Sequence, residues 1–197
     1  GTRQRRLPVI RDLSLTVGAG QVVAVVGSSG SGKSLLAHGI LGILPYNAAM
    51  EGEIRYDGEL LTPERVEALR GREIVLVPQG VTYLDPLMKV GPQIRRGKRS
   101  PEARAKSRSV LERYGLGAET EELYPFELSG GMARRVLIST AVMETPRLVI
   151  ADEPTPGLDA RAAGRILGHF REIADAGAGM LLITHDLELA LTIADRV

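Results

Sequence analysis

The sequence is poor in several residue types that carry common functions. Its 197 residues include no cysteine and no tryptophan, and its aromatic residues are five tyrosines and two phenylalanines. The absence of cysteine excludes disulfides, thiolate metal sites and cysteine nucleophiles, and it fits a reducing compartment. No cationic and hydrophobic pattern opens the chain, so we expect no signal peptide.

Long apolar runs and an excess of one charge are missing as well. The longest uninterrupted apolar stretch, residues 22–26, is far shorter than the ~18 residues that a membrane-spanning helix needs. Any membrane role must therefore depend on a partner protein. The formal net charge is +1, from 25 Lys and Arg against 24 Asp and Glu, and we expect no nucleic-acid partner.

Short apolar segments alternate with helical patterns along the chain, which predicts an α/β fold with a mainly parallel sheet covered on both faces. Segments that are apolar throughout indicate buried strands at residues 22–26, 74–77, 148–151 and 180–183. Helices are predicted over residues 35–44 and 100–114, and after Ala160.

Two further strands are predicted near the surface. One is a half-exposed strand over residues 13–17, and the other is an edge strand over residues 52–58 with an Asp-Gly turn. Residues 84–143 contain no convincing strand, so we predict a helical subdomain there. It would be inserted into an α/β core formed by residues 1–83 and 144–197, all within a single domain.

Glycine is in excess, and its clusters mark the first candidate site. The 23 glycines are roughly 12% of the residues where about 7% is usual. Residues 27–34 read GSSGSGKS and fit the phosphate-loop pattern G-x-x-x-x-G-K-[ST], between a buried strand and a helical stretch. Successive N–H groups would converge on the β-phosphate, Lys33 would bridge the β- and γ-phosphates, and Ser34 would bind Mg²⁺. The predicted nucleotide contacts in this segment are Gly27, Ser28, Ser29, Gly30, Ser31, Gly32, Lys33, Ser34 and Leu35.

Two acidic residues follow the apolar segment 148–151. A carboxylate at the carboxyl end of such a strand can hold Mg²⁺ beside the phosphate loop, usually through water, and we assign this role to Asp152. Glu153 comes next and can polarise an attacking water as general base. Alone, an acidic pair after a strand is more often a helix start or a solvated turn, but the phosphate loop favours the functional interpretation.

A second glycine cluster, LSGGM at residues 128–132, precedes a long and largely apolar helical pattern. Ser129, Gly130 and Gly131 at a helix start would expose N–H donors and a hydroxyl to an anion. Taken alone, this pattern more often reflects a plain serine N-cap followed by flexible glycines.

Together the three motifs resemble the Walker A, signature and Walker B motifs of the nucleotide-binding subunit of ABC transporters. Gln79 is similar to the Q-loop glutamine of that family, residues 154–159 (PTPGLD) resemble its D-loop, and His185 resembles its switch histidine. The resemblance covers almost the whole chain. It implies a P-loop NTPase (RecA-like) core with a mainly parallel sheet, an antiparallel β edge and an inserted helical subdomain.

The resemblance also implies a Mg-dependent ATP hydrolase that is active as a head-to-tail dimer. Gln79 would complete the Mg²⁺ shell and sense the γ-phosphate, and His185 would hold the attacking water with Glu153. Ser129 and Gly131 would meet the γ-phosphate bound by the other subunit. The implied catalytic residues are Lys33, Gln79, Glu153 and His185; the implied ATP contacts add Ser129, Gly130, Gly131 and Asp159; the implied Mg²⁺ ligands are Ser34, Gln79 and Asp152.

Three segments are similar to ATPase subunits of the peptide and nickel importers, which take up dipeptides, oligopeptides, nickel and metallophores. They are residues 41–45 (LGILP), 84–87 (LDPL) and 123–127 (LYPFE). The similarity implies integral membrane permease subunits, a second ABC ATPase subunit in a homo- or heterodimer, and an extracytoplasmic solute-binding protein. It implies a location on the cytoplasmic face of the cell membrane, attached through the permease. Because such subunits do not touch the cargo, these motifs do not specify it.

The chain departs from the family pattern at both ends. Many members stack adenine on an aromatic residue upstream of the Walker A loop, but residues 1–24 contain none. A guanidinium or an aliphatic contact could replace that stacking, and we expect weaker base selectivity. The chain also stops soon after His185, so we expect it to be truncated at its C terminus. The candidates for contact with the base are Arg3, Arg5, Arg6, Leu7 and Ile10.

Three other classes of protein are open alternatives. Chromosome-maintenance and DNA-repair ATPases share the signature but insert a long coiled coil, whereas only 95 residues separate Lys33 from Ser129 here, without heptads. Soluble translation-factor ATPases carry two such domains, and one copy is present. A scaffold or decayed ATPase is disfavoured by the intact Lys33, Asp152, Glu153 and His185.

Overall fold

The computed structural model describes residues 7–197 and consists of six short strands and seven α-helices within that range. The strands are β1 (Val22–Val26), β2 (Arg55–Tyr56), β3 (Glu59–Leu60), β4 (Ile74–Val77), β5 (Leu148–Asp152) and β6 (Gly179–Thr184). The helices are α1 (Lys33–Ile40), α2 (Pro63–Leu69), α3 (Val90–Ile94), α4 (Pro101–Arg113), α5 (Gly130–Val142), α6 (Ala160–Asp175) and α7 (Leu187–Ile193). Four strands form a parallel sheet in the order β1-β6-β5-β4, and β2 pairs with β3 in a separate antiparallel sheet.

The parallel strands are apolar throughout because helices cover both faces of their sheet. On β5, Val149 and Ala151 pack into a cluster with residues of α5, α6 and α7. The intervening Ile150 packs on the opposite face, in a cluster with Ala37 of α1. The four buried strands predicted from the sequence, and the mainly parallel α/β sheet that they imply, are confirmed.

The half-exposed strand predicted over residues 13–17 is wrong, since the backbone there forms no strand. The alternation correctly marks Leu15 and Val17, which pack at the edge of the α1-side cluster. A strand also needs a backbone neighbour, however, and the Thr16 carbonyl instead accepts a hydrogen bond from the Arg196 guanidinium at 2.6 Å. The alternating pattern therefore indicates the packing of Leu15 and Val17 and not the pairing of a strand.

The antiparallel edge is present as a hairpin shorter than predicted. Only Arg55 and Tyr56 of the expected segment form a strand, and they pair with Leu60 and Glu59. The Asp-Gly dipeptide forms the turn as predicted, with Asp57 at a φ of 53°.

Side-chain caps define most helix starts. The Ser100 hydroxyl accepts a hydrogen bond from the Ala103 N–H at 3.2 Å, and α4 begins at the following proline, as predicted. Helix α1 ends at Ile40, before the predicted end at residue 44, because the chain leaves the helix through Gly42 with a φ of 65°. Among the helices that the structure describes, none combines the length and the apolar character needed to cross a membrane.

Residues 84–143 are helical wherever they have regular structure. They build a hydrophobic cluster of their own, in which Val90 and Ile94 of α3 pack with Leu111 of α4 and Val136 of α5. Helix α5 also reaches the main core through Ile138. The helical content predicted for this range is therefore present, and its separation from the core as a subdomain stays a prediction.

Tyr114, at the end of α4, joins this helical region to the main core. Its side chain is 1% exposed, and its hydroxyl hydrogen-bonds to Nδ1 of His169 on α6. Burial lowers the pKa of His169 to about 4, so the ring is neutral at pH 7 and Nδ1 accepts a hydrogen bond from the Tyr114 hydroxyl.

Replacing His169 by Gln is expected to reduce the acid sensitivity of the fold. The unfolded imidazole protonates near pH 6.5, whereas the native one resists protonation until about pH 4. The unfolded state therefore binds more protons between these values, and stability falls as the pH drops through this window. Urea denaturation at pH 7 and pH 4.5 should show that the wild-type protein loses about 1 kcal/mol more than the variant. Equal losses in the two proteins would contradict this assignment.

Candidate nucleotide-binding site

The register of the parallel sheet places four strand ends at one edge. Val26 of β1 pairs with Thr184 of β6, and Ile183 pairs with Asp152 of β5. Ala151 in turn pairs with Val77 of β4. Segments that are far apart in the sequence therefore leave the sheet side by side, namely the 27–34 loop, His185, Glu153 and Gln79.

The 27–34 loop closes around its own lysine. The Gly27 N–H donates to the Thr184 carbonyl at 3.3 Å, which fastens the start of the loop to β6. The Lys33 ammonium donates to the carbonyls of Gly27 and Ser28, each at 2.7 Å, and lies 3.4 Å from the Ser31 hydroxyl. The sequence thus forms the strand, loop and helix that the phosphate-loop pattern requires, with one cation inside the loop.

A valine that sequence reasoning missed lies against this loop. Gly32 has a φ of 85°, and Val9 is so close to it that a Cβ at residue 32 would overlap the valine side chain. Of the residues considered for base contact, Ile10 approaches the same glycine, and Leu7 is 83% exposed. Arg3, Arg5 and Arg6 lie outside the described residues. No pattern in the sequence distinguishes Val9 from its neighbours.

Asp152 presents a buried carboxylate oxygen that fits a metal site. Its Oδ1 is buried and has no hydrogen-bond partner among residues 7–197. Burial raises the pKa of Asp152, while a hydrogen bond with the Ser34 side chain and the charges of His38 and Lys33 oppose that shift. One hydroxyl and one carboxylate are a typical protein contribution to Mg²⁺, which keeps several waters and binds phosphate oxygens as well. Ser34 and Asp152 therefore suit this ion.

Hydrogen bonds hold the backbone N–H and both carboxylate oxygens of Glu153. Its backbone has a φ of 47°, uncommon for a residue with a side chain, and its N–H donates to the Ile183 carbonyl at 2.8 Å. Its Oε1 lies 2.9 Å from Nδ1 of His185, and its Oε2 accepts from the Thr184 hydroxyl at 3.4 Å. Side-chain exposure is 8% for Glu153 and 55% for His185.

This pairing defines which hydrogen-bond role each of the two side chains takes. An ionised carboxylate only accepts hydrogen bonds, so Nδ1 of His185 carries a proton when Glu153 is charged. The carboxylate can then take a proton from a water molecule while the histidine keeps it oriented. Glu153 and His185, which are 32 residues apart in the sequence, are thus brought together.

Gln79 leaves the sheet at the same edge, but its side chain is exposed and has no hydrogen-bond partner in the described chain. The residues that precede and follow it, Pro78 and Gly80, are more buried. The structure therefore brings its backbone, though not its amide, to the site.

The signature segment forms the start of α5. Ser129 caps α5 by accepting from the Met132 N–H at 3.2 Å, and Gly130 and Gly131 form the first turn. A Cβ on Gly131 would lie 3.6 Å from the Gly157 carbonyl, so this turn packs beside residues 154–159. In the described part of the chain, no hydrogen bond joins these glycines or the serine to the 27–34 loop.

Asp159 has a structural role in this chain. Its carboxylate accepts from the Ala162 N–H at 2.8 Å and caps α6, and this backbone hydrogen bond lowers the pKa of Asp159. Its predicted contact with nucleotide stays a prediction.

Arg134 is a further residue at the site that sequence reasoning missed. It extends from α5 to the carbonyls of Pro78 and Glu153, at 3.0 and 3.4 Å. The signal was available, because Arg134 precedes Leu137, Ile138 and Ala141 at helical spacings of three, four and seven. A charged residue on the apolar face of a helix indicates a buried polar function.

Comparison with known proteins gives one consistent family. The ABC transporter family matches residues 10–156. The peptidoglycan transport ATP-binding protein YejF of Agrobacterium fabrum is 42% identical over 90% of this chain and 35% of its own length. The oligopeptide transport ATP-binding protein OppD of Lactococcus lactis subsp. cremoris is 38% identical over 95% of this chain and 60% of its own length. The chain thus spans less than two thirds of these curated relatives.

A solved structure supports the same fold. It is the dimeric post-hydrolysis state of the ATP-binding cassette MJ0796 bound to ADP and Pi, with a TM-score of 0.79 and 27% identity. The similarity covers 92% of this chain and 82% of that chain.

Replacing Asp152 by Asn is expected to stabilise the protein in the absence of metal and nucleotide. Its carboxylate is buried, has an unpaired oxygen and lies beside a second acid, so its charge costs free energy at neutral pH. Thermal unfolding in EDTA should show a gain of about 1 kcal/mol. The same change at the exposed residue Asp175 should alter stability by less than about 0.5 kcal/mol. A loss of stability in Asp152→Asn would show that the carboxylate is satisfied without a metal.

Proposed function

The chain belongs to the ABC transporter family, and from this premise we propose that it binds and hydrolyses ATP to power a peptide importer. The observation that carries the proposal is the convergence of two devices at one sheet edge. One is a phosphate loop with Lys33 inside it, and the other is the buried Glu153 carboxylate paired with His185.

The 27–34 loop would bind the triphosphate. Its N–H groups and the start of α1 offer positive partial charge to phosphate, and Lys33 would exchange its loop carbonyls for phosphate oxygens. The proposed nucleotide contacts are Gly27, Ser28, Ser29, Gly30, Ser31, Gly32, Lys33, Ser34 and Leu35. Val9 and Ile10, which lie at Gly32, would supply an aliphatic surface to the base in place of an aromatic ring. Such a surface discriminates weakly between bases.

Hydrolysis would proceed by proton transfer to Glu153. Its carboxylate would take a proton from the attacking water as the water oxygen bonds to the γ-phosphorus, and the bond from that phosphorus to the β–γ bridging oxygen would break to release ADP. His185, hydrogen-bonded to Oε1, would keep the carboxylate oriented and would contact the γ-phosphate. Ser34 and Asp152 would hold Mg²⁺, with Gln79 joining them, and the ion would neutralise phosphate charge. The buried position of Glu153 limits competition from bulk water.

A complete site would require two chains. Ser129, Gly130 and Gly131 form an anion-binding turn that has no hydrogen bond to the described phosphate loop of its own chain, and Asp159 follows in the adjacent loop. We therefore infer a head-to-tail dimer, homo- or heteromeric, in which this turn meets the γ-phosphate bound by the other subunit. The similar MJ0796 cassette is dimeric in its post-hydrolysis structure, which supports this arrangement.

The helical residues 84–143 would form a subdomain that moves against the core of residues 1–83 and 144–197. Their separate hydrophobic cluster supports this division. Nucleotide at the sheet edge and a permease at the helical region would then both act on this relative movement. We propose integral permease subunits as partners, attachment to the cytoplasmic face of the membrane through them, and an extracytoplasmic solute-binding protein that delivers cargo.

The cargo class follows from the relatives. Both curated relatives named above are transport ATP-binding proteins, one for peptidoglycan and one for oligopeptides. These names favour peptide-containing cargo over nickel within the importer subgroup that the sequence resembles.

Glu153→Gln is expected to bind ATP, lose turnover and accumulate as a nucleotide-bound dimer. The amide keeps the shape of the side chain but cannot accept the proton of water, so the closed state persists. Light scattering after gel filtration with Mg-ATP measures the dimer, and phosphate release measures turnover, which should fall at least about 100-fold.

Lys33→Ala is the matched control for that experiment. It removes the loop cation, so it should bind ATP far more weakly and stay monomeric under the same conditions. Tight ATP binding by Lys33→Ala would refute the phosphate-loop assignment. A Glu153→Gln protein that stays monomeric with bound ATP would refute the composite site.

Cells that carry Lys33→Ala in place of the wild-type gene are expected to lose uptake of short peptides while producing normal amounts of the protein. Uptake of labelled peptides and of labelled nickel should be measured in the same cells, because the two cargoes separate the importer classes. Loss of nickel uptake with normal peptide uptake would reverse the cargo assignment.

A further inference from the structure

Arg134 is one of two arginines in the described chain with only 8% of their surface exposed, the other being Arg95. It belongs to α5, the helix that starts at the signature segment. One of its terminal nitrogens donates to the Pro78 carbonyl at 3.0 Å and lies 3.4 Å from the Glu153 carbonyl. Its Nε is buried without a hydrogen-bond partner among residues 7–197.

These two carbonyls belong to the backbone at or next to two predicted functional residues, Gln79 and Glu153. The Pro78 carbonyl is part of the peptide bond that leads into Gln79, and the Glu153 carbonyl belongs to the residue with the left-handed φ of 47°. One guanidinium therefore links the end of β4, the end of β5 and the signature helix. The backbone ladder pairs β4 with β5 as far as Val77 and Ala151, whereas in the described chain no backbone hydrogen bond joins either strand end to α5.

The charge of Arg134 is balanced by the acids of the site. Burial lowers the pKa of Arg134, and the neighbouring carboxylates of Asp152 and Glu153 oppose that shift. The carboxylates in turn lie next to each other, where their repulsion disfavours two negative charges. The two acids therefore offset part of the cost of burying this guanidinium.

We propose that Arg134 is a positioning residue that holds the Gln79 and Glu153 backbones in register with the signature helix. The inference rests on the proposed ATPase function, which it deepens. Arg134 does not touch nucleotide in this arrangement. It acts through Glu153, whose proton-accepting carboxylate depends on a strained backbone being fixed, and a displacement of about 1 Å at such a group can cost about 100-fold in rate.

Arg95 provides a matched comparison for a purely structural role. It is as buried as Arg134, and it pairs with the buried Glu121 at 2.5 Å within the helical region. It has no hydrogen bond to the sheet edge in the described chain. Losing either arginine leaves buried acceptors or charge uncompensated, so both changes should lower thermal stability. Only the loss of Arg134 should affect the site beyond that.

The test compares Arg134→Met, Arg134→Lys and Arg95→Met with the wild-type protein. Steady-state kinetics with Mg-ATP give kcat and KM, and thermal melts show that each variant is folded at the assay temperature. Amide hydrogen exchange without nucleotide is followed in peptides that cover residues 79–84 and 153–159. The exchange measurement does not depend on turnover, so it separates this inference from the proposed function.

Arg134→Met should lower kcat at least about tenfold and change KM less than about threefold, because it disturbs a group used in the chemical step. It should also accelerate exchange in both peptides. Arg134→Lys, which keeps the charge but not the planar fork, should recover part of kcat. Arg95→Met should melt earlier but keep kcat within about twofold and leave exchange in both peptides unchanged.

Three results would overturn the inference. They are a kcat within twofold of wild type for Arg134→Met, an equal loss of kcat for Arg95→Met, and unchanged exchange in the two peptides. If Arg134→Met does not fold, Arg134→Lys decides by the same measures. If the wild-type protein itself fails to hydrolyse ATP, the proposed function is wrong, and the exchange data still decide whether Arg134 connects the two segments.

Discussion

The parallel pairing of β1, β6, β5 and β4 determines where the functional residues that follow these strands lie. Strands that run in one direction end at one edge, so their following residues meet there however far apart they are in the sequence. The Gly27 N–H completes the arrangement by bonding to the Thr184 carbonyl, which fixes the phosphate loop beside His185. A shift of one strand by one residue would reverse its faces and separate these groups. The apolar side chains on both faces of the sheet resist such a shift.

The same edge concentrates unfavourable interactions that packing must offset. Asp152 and Glu153 are adjacent, buried and acidic, and Glu153 occupies a left-handed backbone conformation that costs about 1–3 kcal/mol. Its N–H, its carbonyl and both carboxylate oxygens are all close to partners, among them His185 and Arg134. Glu153 thus has a strained backbone although all its polar groups have partners, and the adjacent Asp152 has a carboxylate oxygen without one. This combination is typical of a ligand-binding site and unfavourable for stability.

Much of the fold and of the site was predictable because the responsible forces are local in sequence. Buried strands need continuous apolar runs, and helix starts need a cap such as Ser100, so both leave patterns within ten residues. The predictions fail where pairing is non-local. Residues 13–17 alternate like a strand, but only the folded chain shows that no neighbouring strand is available there. Val9 was missed because its importance lies in its approach to Gly32, which no local pattern records. Arg134 lies on the apolar face of its helix, and this local signal indicates burial but not the two carbonyls that the side chain reaches.

The local chemistry of the site is predictable from the order of its residues, because the spacing of Gly27 to Ser34 and the acidic pair after an apolar strand specify local backbone shape and local charge. Which of these groups lie together depends on the folded chain. The folded chain joins Glu153 to His185, leaves the Gln79 side chain exposed and, among the described residues, makes no hydrogen bond between the signature turn and its own phosphate loop. The reason is physical: hydrogen bonds act over about 3 Å, and the distances between distant segments depend on sheet order and register.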